Sequence, residues 1–180
     1  EWGGAMQHDV TDGVELLSRA GWADPERMCI VGWSYGGYSA LMSSVLNPEM
    51  YQCTASIAGV SDLYRMLSDV SLDRGDDSQA YRYWTDQYGR AGVDRDVLEP
   101  ISPYYRADEI QAPVLLLHGD DDMIVPPTQS RRMEDALDDA GRQVRIRTFS
   151  GQNHSIMDEE SRVEVLREVI SFIDQHIGGE

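Results

Sequence analysis

The sequence predicts an α/β protein in which a mostly parallel sheet carries helices on both faces. Three observations predict it. Short apolar runs at 28–31 and 113–117, and a run of small residues at 53–58, alternate with stretches of helical periodicity. The two apolar runs are continuous rather than alternating, as expected of strands buried on both sides, and a glycine closes each of the three runs within two residues (Gly32, Gly59, Gly119). Strands separated by helices make a parallel sheet, whose functional groups gather at the carboxyl ends of the strands.

The elements follow in order. Val10, Val14, Leu17 and Ala20 share one helical face, and Gly21 with the Asp24-Pro25 turn ends that helix. A strand at 28–31 leads through Gly32-Trp33-Ser34-Tyr35-Gly36-Gly37 into a helix at 40–46, and 53–58 is a second buried strand. From 61 to 112 the pattern loosens into short helical pieces at 63–67 and 79–88, and an irregular, pocket-forming segment is expected there. The run 113–117 is a third buried strand. Pro126 and Pro127 suit a first helical turn, Met133, Ala136, Leu137 and Ala140 share a face, and Gly141 supplies a stop. Val144, Ile146 and Thr148 alternate with Arg145 and Arg147, the pattern of an edge strand protected by charge. Val163, Leu166, Ile170, Ile173 and Ile177 mark a closing amphipathic helix, with Asp158, Glu159 and Glu160 near its positive end.

The chain has 180 residues, the size of one domain, so 1–180 is read as a single unit. It is 41% hydrophobic and 26% charged, a composition that folds. Thirty-two acidic residues against 15 arginines and no lysine give a net charge of -17, which repels phosphate backbones and anionic lipid. No nucleic-acid or membrane role is expected, and no apolar run approaches the roughly 20 residues of a spanning helix. Cys29 and Cys53 have neither disulfide-scaffold numbers nor metal-ligand spacing. They fall on strands that should be neighbours, where the Cβ geometry for a bridge is rare, so two buried thiols are expected.

A serine hydroxyl needs a base to take its proton and a third group to orient that base. Gly32-x-Ser34-x-Gly36 lies between a strand and a helix, the setting of a nucleophile elbow, whose crowded turn demands small flanking residues. By composition alone this three-position match arises about 0.06 times in such a chain. Asp122 follows the third strand and His154 the fourth, giving the order Ser, Asp, His of an α/β-hydrolase. Ser34 is then the nucleophile, His154 its general base and Asp122 the group that orients the imidazole, while the backbone N–H of Tyr35 donates to an oxyanion.

Gly32-Trp33-Ser34-Tyr35-Gly36-Gly37-Tyr38, His118-Gly119-x-x-Asp122-x-x-Val125-Pro126 and Gly151-Gln152-Asn153-His154 together resemble the prolyl oligopeptidase family. Trp2-Gly3-Gly4 through Asp12-Gly13, and Ala58-Gly59-Val60-Ser61-Asp62-Leu63, resemble its bacterial dipeptidyl-peptidase and acylaminoacyl-peptidase branches. The resemblance implies that Asp122, rather than Asp120 or Asp121, is the acid, and that Tyr35, Val60 and Val125 border the pocket for the residue before the scissile bond. It implies a serine peptidase acting on short peptides through an acyl-enzyme, without cofactor or metal; a carboxylesterase on the same fold is the alternative. It further implies that this is the C-terminal portion of an α/β-hydrolase domain whose first strands, second oxyanion donor and β-propeller lie upstream in the same chain. A homo-oligomer is compatible with it, and the compartment stays open between cytoplasm and periplasm.

The remaining candidates read as structural. His118 caps a buried strand and is expected to hydrogen-bond locally; His8 is expected to be solvated, and His176 suits a helix C-terminus. Asp120 and Asp121 lack the further oxygen-ligand spacing of a cation site. Tyr81, Tyr83, Trp84 and Tyr88 either line an apolar substrate pocket or pack locally.

Overall fold

The computed structural model describes residues 2–88 and 94–178. Four parallel strands, β1 (Cys29–Trp33), β2 (Cys53–Ile57), β3 (Val114–Gly119) and β4 (Val144–Phe149), lie side by side in sequence order. The helices are α1 (Ala5–Arg19), α2 (Tyr35–Leu46), α3 (Leu63–Arg74), α4 (Gln79–Tyr88), α5 (Arg95–Leu98), α6 (Thr128–Asp139) and α7 (Glu159–Ile177). A parallel sheet covered by helices matches the expected class.

Because successive side chains of a strand point to opposite faces, β3 feeds two cores. Val114 and Leu116 pack with Leu41 and Met42 of α2, Leu63 and Met66 of α3, and Met133 and Leu137 of α6. Leu115 and Leu117 pack on the other face with Ala55 and Ile57 of β2, Phe149 of β4, and Val165, Val169 and Phe172 of α7. Every crossover between strands therefore runs over one face, as right-handed connections stepping in one direction must. Among the described residues, α7 alone covers the other.

The structure corrects several expectations. The segment 61–112 is helical over most of its described length: α3 runs a full turn and more past residue 67, α5 is additional, and 3₁₀ turns occupy Glu99–Ile101 and Pro103–Glu109. Residues 89–93 of that segment lie outside the described residues. Gly75, with φ 81°, ends α3, and Asp62 caps its start by accepting from the Arg65 N–H at 2.9 Å. Trp84 and Tyr88 turn inward and stack around Trp2, which also packs on Tyr35 and Tyr38. Local packing thus accounts for them, while Tyr83 lines a surface cleft of about 730 Å³ with Leu72, Met123 and Ile124.

Cys29 and Cys53 are bonded to each other rather than left as two thiols, and Cys29 is only half-buried. They are direct register partners on the same face, with Cα atoms 4.6 Å apart, inside the range a disulfide spans. The apolar face assigned to α7 is also displaced by one position. Val165, Val169 and Phe172 are buried, whereas Leu166 and Ile170 are 60% and 56% exposed. At the far edge β4 matches expectation, Arg147 pairing with Glu164 and Glu168 of α7 and Arg145 with Glu168.

Candidate active site

Ser34 sits between the last residue of β1 and the first of α2 with φ 57° and ψ -118°, a backbone that non-glycine residues rarely adopt. The turn is anchored by the Ser34 N–H donating to Ile57 O at 2.8 Å, which continues the β1–β2 ladder. Its tightness has an identifiable source: a Cβ on Gly32 would stand 1.9 Å from Gly36 O. Gly36 itself has open space where a Cβ would go, so of the two flanking glycines only Gly32 is sterically required. Gly37, outside the three-position motif, is the second tight site. Its Cβ would lie 2.8 Å from Gly59 Cα, because α2 packs onto the turn after β2 there.

His154 approaches from the loop between β4 and α7. Gly119, at the end of β3, lets that loop lie flat against the strand, since a Cβ there would meet Gln152 O at 2.3 Å. The Asp120 N–H donates to Phe149 O and the Asp121 N–H to Gln152 O, each at 3.0 Å, while the Asp120 carboxylate accepts from the Gly151 N–H at 2.6 Å. On the opposite side, the indole N–H of Trp33 donates to His154 O at 3.0 Å. The sequence reading missed this contact, because an aromatic residue beside the serine carries no spacing signal for it.

These elements bring three predicted residues into one chain of hydrogen bonds. Ser34 Oγ lies 2.8 Å from His154 Nε2, and Asp122 Oδ2 lies 2.6 Å from His154 Nδ1. Asp120 and Asp121 do not reach the imidazole; the first turns to Gly151 and the second to solvent. The His154 side chain keeps 13% of its surface exposed, whereas that of Asp122 has none. Burial alone would raise the Asp122 pKa. Hydrogen bonds from His118 and His154, with the N–H groups of Val125 and Ile124 on Oδ1 at 2.9 and 2.8 Å, outweigh it and hold the carboxyl well below its usual range.

Tyr35 occupies the first position of α2, where a helix leaves its N–H without an intrahelical partner. Its half-buried ring packs edge-on against Trp2, and burial raises its pKa. Val60 and Val125, expected beside Tyr35 at the border of the pocket, are instead both fully enclosed in the core, so neither presents surface to a substrate. The turn carrying Val60 is fixed by Gln129 of α6, whose Oε1 accepts from the N–H groups of Ser61 and Asp62 at 2.9 and 2.8 Å. His118 does hydrogen-bond locally, as expected, and one of its partners is Asp122 itself. Among the described residues no helix is long and apolar enough to cross a membrane.

Residues 1–180 match the Prolyl oligopeptidase family throughout. Dipeptidyl aminopeptidase BIII of Pseudoxanthomonas mexicana is 27% identical over 188 residues, covering 99% of this chain and 26% of the relative. A solved Mycobacterium tuberculosis puromycin-hydrolyzing peptidase superposes with a TM-score of 0.86 at 30% identity, over 99% of this chain and 26% of that one. The uncomplexed Pyrococcus horikoshii acylaminoacyl peptidase gives 0.84 at 25% identity, over 99% and 29%. The chain spans about a quarter of the length of the proteins it matches.

Proposed function

Since the chain belongs to the prolyl oligopeptidase family, we propose that it is the serine-bearing part of a peptidase that hydrolyses short peptides through an acyl-enzyme. The observation that carries this reading is the Ser34–His154–Asp122 hydrogen-bond chain, built on a serine whose backbone is strained outward at the end of β1. Ser34 Oγ attacks the scissile carbonyl carbon while His154 Nε2 takes its proton. Asp122 Oδ2 accepts from Nδ1–H, fixing the tautomer and stabilising the imidazolium that forms. The Tyr35 N–H donates to the carbonyl oxygen as it becomes an oxyanion. His154 then returns the proton to the leaving amine, and water repeats the sequence on the acyl-serine with His154 again as base.

Tyr35 borders the space for the residue before the scissile bond, and Val60 and Val125 form the packed floor behind it. Upstream residues of the same chain supply the rest of the hydrolase sheet, a second oxyanion donor and a propeller, in keeping with relatives four times as long. The test is turnover of peptide anilides and matched aryl esters by the full-length protein and its Ser34→Ala variant, with circular dichroism to confirm folding. Anilide cleavage that disappears in Ser34→Ala is expected. Cleavage of esters alone would assign a carboxylesterase, and unchanged turnover in the variant would end the reading.

A further inference from the structure

His118 is the second-to-last residue of β3, and its ring is fully enclosed between that strand, α6 and the loop carrying Asp122. Nε2 lies 2.9 Å from Val125 O and 3.2 Å from Asp122 Oδ2, while Nδ1 lies 2.7 Å from Ser130 Oγ. A carbonyl and an ionised carboxylate can only accept, so Nε2 carries the proton. Ser130 can donate, so Nδ1 of a neutral ring accepts from it. The resulting relay runs Ser130 Oγ–H to Nδ1, then Nε2–H to Val125 O and Asp122 Oδ2. The oxygen it reaches is the same one that receives His154 Nδ1–H.

We propose that His118, held as the Nε2–H tautomer by Ser130, is a positioning residue that orients Asp122 and limits how strongly that carboxylate draws on His154. This rests on the reading of Ser34, His154 and Asp122 given above. With Oδ1 occupied by two backbone N–H groups and Oδ2 by two imidazoles, rotation of the carboxylate breaks at least one hydrogen bond in every direction. Accepting from Ser130 makes the His118 ring a better donor, and each donor on Oδ2 lowers its basicity toward the others. Among the described residues, the titratable groups facing Asp122 are His118 from β3 and His154 from the loop before α7. Asp120 of its own loop turns to Gly151, and Asp121 to solvent.

Three full-length proteins test this: His118→Phe, which keeps a ring without donors; His118→Gln, which keeps an N–H near the Nε2 position; and Ser130→Ala, which keeps the imidazole. Losing a donor on Oδ2 strengthens the Asp122 hold on protonated His154, so the acid limb of the kcat/KM profile moves to higher pH. The Phe variant is expected to show that shift by about half a pH unit or more and to lose about tenfold in kcat with KM little changed. Gln restores most of both, and Ser130→Ala moves the limb the same way by less. An acid limb that coincides with wild type in a folded His118→Phe overturns the proposal; if that variant does not fold, an unmoved limb in Ser130→Ala does so. Ring nitrogen-15 spectra of the histidine-labelled wild type read the tautomer without any turnover. Nε2–H at His118 at neutral pH is expected, and an Nδ1–H or doubly protonated ring overturns the proposal. A wild type that turns over no substrate would count against the peptidase reading alone.

Discussion

Gly32 and Gly36 flank the same serine, yet the contacts a methyl group would meet separate them sharply. Gly32→Ala must push the Gly36 carbonyl away from 1.9 Å, so the elbow cannot close around Ser34 as it stands. Gly36→Ala enters open space early in α2, where alanine costs the folded helix nothing and reduces the freedom of the unfolded chain. Thermal melts should show Gly36→Ala within about 1 kcal/mol of wild type, on the stabilised side, and Gly32→Ala lower by several times that. Equal melting temperatures would contradict the packing account. Asp122 supplies a second prediction. Its folded pKa lies below the unfolded value of about 3.9, so its stabilisation is fully present above that value and is lost as pH falls toward the folded one. Urea midpoints measured from pH 5 downward should fall more steeply for wild type than for Asp122→Asn; parallel curves would show that the carboxylate is not held this way. Ser34, Asp122 and His154 were legible because each follows a strand in the chain order of the fold. The relay through Ser130 and His118 was not, since a buried histidine beside a glycine looks the same whether it meets a carboxylate or only backbone.

At the scale of elements, strands were readable from short apolar, small-residue or alternating runs and helices from their periodicity, but which face of α7 meets the sheet was not. Its apolar residues form two adjoining stripes, Val165, Val169 and Phe172 beside Val163, Leu166, Ile170 and Ile173, and periodicity scores both alike. The sheet takes the first stripe, with Ile173 packed at its border. Segment 61–112 was read as irregular because its helices are short and polar, and α3 owes its start to Asp62 rather than to an apolar pattern. The β1–β2 pairing makes a further prediction, since the disulfide ties an edge strand to its neighbour across 24 residues. Under denaturing conditions, alkylation without reductant should leave both cysteines unmodified, and the Cys29→Ala, Cys53→Ala double variant should lose about 3 kcal/mol by the loop-closure argument. Two alkylated thiols in the unreduced protein would remove the bridge.

At the scale of the fold, among the described residues, helices cover one face of the sheet across its width, while α7 alone serves the other. Val31 and Trp33 of edge strand β1 remain 40% and 37% exposed, and Leu166 and Ile170 of α7 are exposed as well. Such a surface invites association. The 180-residue chain produced alone is therefore expected to bind an apolar dye and to self-associate more than the full-length protein, as light scattering would show; equal behaviour would mean that nothing upstream covers β1 and α7. The central claim, that this sheet exists to aim Ser34 at a carbonyl with His154 and Asp122 behind it, is tested most directly by reacting the folded full-length protein with a fluorophosphonate and locating the adduct by peptide mass spectrometry. The account predicts a single adduct on Ser34, formed at a rate that falls by ~10⁴ in Asp122→Asn, the size of loss found when the same change is made in a serine-protease triad. An unmodified Ser34, or labelling indifferent to Asp122, would contradict it.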